Sequence, residues 1–322
     1  MKPILVTGAS GFLGRHLVRL LLARSEGPVR VMCRGESPFA DVQVARGDIA
    51  SAEDVSNAMR GVGRVYHLAG MVSRDPADAP KLYRTHVEGT RHVLDAAIRE
   101  GCDKLVIAST SGTIAVSREP TVHTEASGYK EDVVRNWTYY MTKIAAERIC
   151  FEYWERQRVP LVVINPSLLL GSGDDRGSST GDIRLFLEGQ IFSLPPGGMN
   201  FLDSRDCAAA AVAAMELGRP GERYLLGSVN WKFAQVIREV ARLAGRRAPW
   251  LPASTWLSLA MAPLLRRAMP MIGRRFDVDD ATIEMSGVFW YCDASKAKRE
   301  LGFEARDPLE TLADTVREIL KR

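Results

Sequence analysis

Ile4-Leu5-Val6-Thr7-Gly8-Ala9-Ser10-Gly11-Phe12-Leu13-Gly14 runs from an apolar strand-like stretch into a Gly-x-x-Gly-x-x-Gly loop. Leu13, Leu17, Leu20 and Leu21 then recur at helical spacing, so the glycines sit at a strand-to-helix turn. Such a turn must bend tightly, let its backbone approach a ligand, and pack helix closely on strand. A missing Cβ permits all three. The following helix N-terminus offers unpaired N–H groups and partial positive charge to an anion. Gly8, Ser10, Gly11, Phe12, Leu13 and Gly14 are therefore the expected cradle for a dinucleotide pyrophosphate.

Outward from this loop, strand-like and helical runs alternate. Val29 to Cys33, Val42 to Ala45, Arg64 to Leu68, Lys104 to Ser109 and Leu161 to Asn165 read as strands. Helices are expected from about Leu82 to Arg99 and from about Trp137 to Gln157. Strands separated by single helices predict an α/β fold: a doubly wound, parallel Rossmann-type sheet covered on both faces. Residues 1–166 form the expected nucleotide-binding domain. Residues 167–322 form a smaller, mostly helical substrate lobe, with one late strand near 222–227 returning to the sheet.

The chain has 322 residues, 46% apolar and 25% charged, which suits a soluble globular protein and excludes disorder. Its net charge of +4 and lack of an aromatic–basic motif give no support for nucleic-acid binding. Five scattered cysteines, never in a CxxC pair, point to reduced thiols and no zinc site. No metal is expected. With no signal-peptide pattern at the N-terminus, a cytoplasmic location is expected.

Tyr139 and Lys143 are four residues apart, which on a helix places them on one face. Reducing a ketone requires a proton for the developing alkoxide, and a tyrosine of pKa ~10 is a poor donor near neutrality. Bringing it there takes about 4 kcal/mol of preferential phenolate stabilisation, which a nearby ammonium can help supply. Twenty residues past Gly14, where an acid would hold the ribose hydroxyls of NAD, stands Arg34. An arginine there pairs with a 2′-phosphate, so NADP(H) is favoured and NAD(H) is the alternative.

These motifs, with His67-Leu68-Ala69-Gly70 after the fourth strand, resemble the extended short-chain dehydrogenase/reductases of the NAD-dependent epimerase/dehydratase superfamily. The branch holding dihydroflavonol reductases and 3β-hydroxysteroid dehydrogenases is the most similar. The resemblance selects Tyr139 over Tyr140 and makes Tyr139 and Lys143 catalytic and cofactor-contacting. It puts Ser111, with Thr113 second, where a hydroxyl binds the substrate oxygen. It further implies that Asp48 and Ile49 flank the adenine, that Leu68, Ala69 and Gly70 lie under the adenosine ribose, and that Pro166 and Ser167 line the nicotinamide. His86 occupies a position where the family has an asparagine tied to a proton relay and a helix irregularity, and a histidine there could titrate near neutral pH.

Residues 246–275 carry six arginines and no acid, around an apolar stretch holding Trp250 and Trp256. Three prolines within it argue against a spanning helix. The segment is expected to be a lid over an apolar substrate, with Trp256 contacting that substrate; contact with an anionic membrane surface is the alternative. The expected activity is NADP(H)-dependent interconversion of a ketone and a secondary alcohol on a lipid-like, steroid-like or polycyclic substrate. The rival is a nucleotide-sugar epimerase or dehydratase with tightly bound NAD. The oligomeric state stays open, a homodimer included.

Overall fold

A computed structural model describes residues 1–321. Seven parallel strands form the main sheet: β1 (Ile4–Thr7), β2 (Val29–Cys33), β3 (Gln43–Arg46), β4 (Arg64–His67), β5 (Lys104–Ala108), β6 (Leu161–Pro166) and, returning late, Arg223–Leu226. In chain order two further strands precede that last one, β7 (Leu168–Leu170) and β8 (Gly198–Asp203), so it is β9. The spatial order is β3-β2-β1-β4-β5-β6-β9. The chain adds β2 and β3 on one side of β1 and then switches to the other side with β4, which pairs in parallel with β1 from Ile4↔Arg64 to Thr7↔His67. That switch point opens a crevice at the strand C-termini, where such sheets bind ligands.

Alternate strand residues feed opposite layers. Ile4, Val6 and Val106 pack under the helices Phe12–Arg24 and Ser204–Leu217, whereas Leu5, Leu105 and Ile107 pack under Ala52–Met59, Gly89–Glu100 and Thr138–Gln157. The helix over 52–59 was not anticipated from the sequence. The predicted 82–99 helix is broken: Ala79–Tyr83 leads through a π-helical turn, Arg84–Glu88, into Gly89–Glu100.

The lobe is mostly helical, as expected, with one addition. It holds its own small sheet, in which β8 pairs antiparallel with β10 (Val229–Lys232) and parallel with β7 and with β11 (Phe289–Trp290). Helices Phe233–Leu243 and Pro308–Leu320 seal this sheet through Val236, Val240, Leu312 and Val316. The chain also does not divide cleanly after residue 166. Helix Ser204–Leu217, strand β9 and helix Ser295–Leu301 all belong to the core of the nucleotide-binding layer.

Candidate active site

The glycine loop follows β1 directly. Gly8 has φ of +72°, and a Cβ there would lie 2.7 Å from backbone atoms of Leu68 and Ala69. A Cβ on Gly14 would lie 2.2 Å from the Gly8 carbonyl oxygen. Only glycine therefore lets the first helix, the loop and the end of β4 close on one another. Helix Phe12–Arg24 starts without a side-chain cap, and its Arg15 N–H reaches back to Gly11 O at 3.0 Å. The N–H groups of Phe12 and Leu13 ahead of it are those a helix leaves to an outside acceptor. At the far end of the crevice the buried Ser167 Oγ has no hydrogen-bond partner among the described residues. A cradle that only glycine fits and an orphaned hydroxyl suit a bound dinucleotide.

Thr7 and His67 brace the cradle. Thr7 Oγ1 lies 2.8 Å from His67 Nδ1 and accepts from the Ala69 N–H at 3.2 Å. Burial pushes His67 down to about 3, so it is neutral. After β3, Ile49 is buried against Gly89, where an added Cβ would meet its side chain at 2.9 Å. Asp48 caps its own turn by accepting from the Ala50 N–H at 3.0 Å. Arg34 stands 3.9 Å from Asp48, with their side chains 77% and 48% exposed.

Helix Thr138–Gln157 delivers Tyr139 and Lys143 to the crevice. Tyr140 instead stacks on Trp290 at 4.9 Å and packs beside Trp137, while Tyr139 lies edge-on to Tyr140 and His86. Burial pushes Tyr139 up to about 12, against which a hydrogen bond from Thr110 acts downward. Burial brings Lys143 down to about 8, opposed by the Glu147 carboxylate. The protein alone thus does not lower the tyrosine. Lys143 Nζ donates to Ala108 O at 3.0 Å, and a Cβ on Gly70 would lie 3.6 Å from that nitrogen.

The four hydroxyls after β5 divide by role. Ser109 and Thr113 both donate to Glu147 Oε1, Thr113 at 2.8 Å, and Thr113 is wholly buried. That commitment removes Thr113 from substrate contact. Thr110 bonds Tyr139. Ser111, 4% exposed, has no side-chain hydrogen bond among the described residues.

His86 lies in the π-helical turn and is 1% exposed. Its Nε2 accepts from the Met71 N–H at 3.2 Å, so Nδ1 carries the proton toward Thr142 Oγ1 at 2.8 Å. Thr142 Oγ1 in turn donates to the Tyr139 carbonyl at 2.9 Å, and the His86 ring lies edge-on to Tyr139. Burial, with the Lys143 charge, holds His86 well below its usual value. The expected titration near neutrality is therefore corrected: this histidine stays neutral, and both its nitrogens bond protein groups.

Two site residues escaped the sequence reading. Glu147, one turn past Lys143, is 1% exposed; Asn165 Nδ2 donates to its Oε1 at 2.7 Å and Arg223 lies 3.2 Å from its Oε2. The four-residue step from Lys143 could have revealed it. Arg74 holds Asp182 bidentately at 2.8 Å and also bonds Thr282, clamping the β4 side to the lobe. Nothing local in the sequence signals that pair. Trp256, by contrast, does not join the site: it is 70% exposed on helix Thr255–Ala268. Among the described residues no cluster of His, Cys, Asp or Glu could hold a metal ion, and no helix is long and apolar enough to cross a membrane.

A family model described as the NAD dependent epimerase/dehydratase family matches residues 4–227. "Sterol demethylase protein B" of Methylococcus capsulatus is 32% identical, over 97% of this chain and 96% of its own. A "putative dihydroflavonol 4-reductase" of Synechocystis is 31% identical, over 97% and 92%. The crystal structure of gox2253 superposes with a TM-score of 0.85 at 24% identity, covering 100% of this chain and 98% of that one, a likeness of fold.

Proposed function

This chain belongs to the NAD dependent epimerase/dehydratase family, and from that premise we propose an NADP(H)-dependent oxidoreductase that interconverts an apolar ketone and its secondary alcohol. The observation that carries this reading is the half-buried Tyr139 and the buried Lys143, one helical turn apart, beside the aromatic wall of Trp137, Tyr140 and Trp290. Two relatives named for sterol and dihydroflavonol chemistry support a polycyclic substrate.

The bound nicotinamide would accept or supply the hydride. The glycine loop and helix N-terminus hold the pyrophosphate, and Ser167 faces the nicotinamide end. Arg34 meets the 2′-phosphate, which distinguishes NADP(H) from NAD(H). Ser111, with its hydroxyl uncommitted, donates to the carbonyl oxygen. Tyr139 Oη gives its proton to the alkoxide, or takes it back in the oxidative direction. Lys143 keeps a positive charge near the phenolate and lowers the cost of its formation. The aromatic wall excludes water and strengthens these interactions.

The test is a panel of steroidal, polycyclic and small ketones, with NADPH oxidation and product mass as readouts. Net NADPH oxidation on the bulky apolar members is expected. Isomerised nucleotide sugar without net cofactor turnover would overturn the reading in favour of an epimerase.

A further inference from the structure

Among the described residues, eight of the eighteen exposed large apolar side chains lie within residues 246–275. Helix Thr255–Ala268 rests on the lobe by its buried Ala262, which packs with Val278 and Ile283. Its opposite face carries Trp256, Leu257, Met261 and Leu264, 40% to 70% exposed, and the apolar strip continues into Met271 and Ile272. Spacing of three and four residues puts these on one side, with Arg267 the only charge among them. A surface helix normally shows water the reverse pattern.

The rim is basic. Arg266 is paired with Asp280 at 2.6 Å and Arg246 bonds the Leu187 carbonyl, while Arg247, Arg267, Arg274 and Arg275 pair with no carboxylate among the described residues. Trp250, 84% exposed, precedes the helix. We propose that this face docks the protein on a membrane surface rich in anionic lipid, the apolar strip entering the headgroup boundary and the free arginines meeting phosphates. Tryptophans suit that depth, being apolar in body and polar at one edge. A second copy on the same face would set one arginine cluster against another, so self-association is disfavoured. The proposal does not depend on which substrate the Tyr139 site takes.

Co-sedimentation of the full chain with phosphatidylcholine vesicles, with and without phosphatidylglycerol, tests it. Binding should need the anionic lipid, weaken at high salt, and shift tryptophan emission to the blue. Arg274→Glu with Arg275→Glu should weaken partition by about 30-fold or more. Leu264→Glu should weaken it by at least about tenfold. Leu264 is solvent-facing, so its variant should melt like the parent; if it fails to fold, Met271→Glu beyond the helix makes the same test. Failure to bind anionic vesicles overturns the proposal. So does binding indifferent to Leu264→Glu and Met271→Glu, or an oligomer, seen by light scattering, that Leu264→Glu dissolves.

Discussion

At the Tyr139 end of the crevice nearly every polar group is buried and tied to another: Thr110 to Tyr139, Lys143 to Ala108, His86 to Met71 and Thr142, and Glu147 to four partners. At the Arg34 end the charged pair stands in solvent at 3.9 Å, a contact worth well under about 1 kcal/mol. The buried end is organised before any ligand arrives, and its charges interact in a low dielectric. On the proposed reading, the exposed end would take its order from the 2′-phosphate it binds. Changes at the first should strike rate and stability, and changes at the second should alter only which cofactor is chosen.

Tyr139→Phe gives the largest expected effect. Deleting the hydroxyl should cut kcat by about 10²- to 10⁴-fold while leaving NADPH affinity, read by quenching of intrinsic fluorescence, nearly unchanged. Full turnover on a good ketone would break the assignment. Glu147→Gln comes next. It leaves Arg223 without a carboxylate in the interior, a loss of about 3 kcal/mol that urea melts can measure. The sign for pH is fixed by geometry: Glu147 opposes the fall of Lys143 toward about 8, so its loss should move the alkaline limb of the rate profile to lower pH. An unmoved limb would leave Glu147 with a purely architectural role.

Arg34→Asp probes the other end. NADPH affinity should fall by about 2 kcal/mol, NADH affinity should hold or improve, and neither kcat nor the melting temperature should change appreciably. Equal effects on both cofactors would erase the contrast between the two ends. His86→Asn is expected to do least. Because His86 is already neutral well below pH 6.5, the acid limb of the pH–rate profile should coincide with that of the parent. A flattened acid limb would instead mark His86 as a titrating relay.

What could be read in the sequence was whatever repeats locally. The glycine turn, the five strands of the first half, the return of Arg223–Leu226 and the Tyr139–Lys143 step all follow from short spacings along the chain. The π-helical turn at Arg84–Glu88 coincides with the segment whose family resemblance implied an irregular helix. The Glu147 network draws on the segment after β5, on β6, β9 and helix Thr138–Gln157, and Arg74 finds Asp182 across 108 positions. Such meetings are fixed by tertiary packing, which no local pattern encodes. The apolar run at 246–275 was legible, but its orientation was not: apolarity predicts burial, and here the helix turns most of that surface outward.

The return of the chain to its first layer has a consequence for synthesis. Leu17, Val18 and Leu21 on the first helix are covered in part by Ala208, Ala211, Val212 and Met215 on helix Ser204–Leu217, and the last strand of the main sheet is complete only at Leu226. A nascent chain emerges at about 5–20 residues per second, so these apolar faces stay uncovered until some two-thirds of the polypeptide has left the ribosome. A fragment stopped at residue 166 should aggregate rather than fold, and the nucleotide-binding half cannot mature ahead of the lobe. Its assembly is long-range, and pairing of distant segments is slower than local folding.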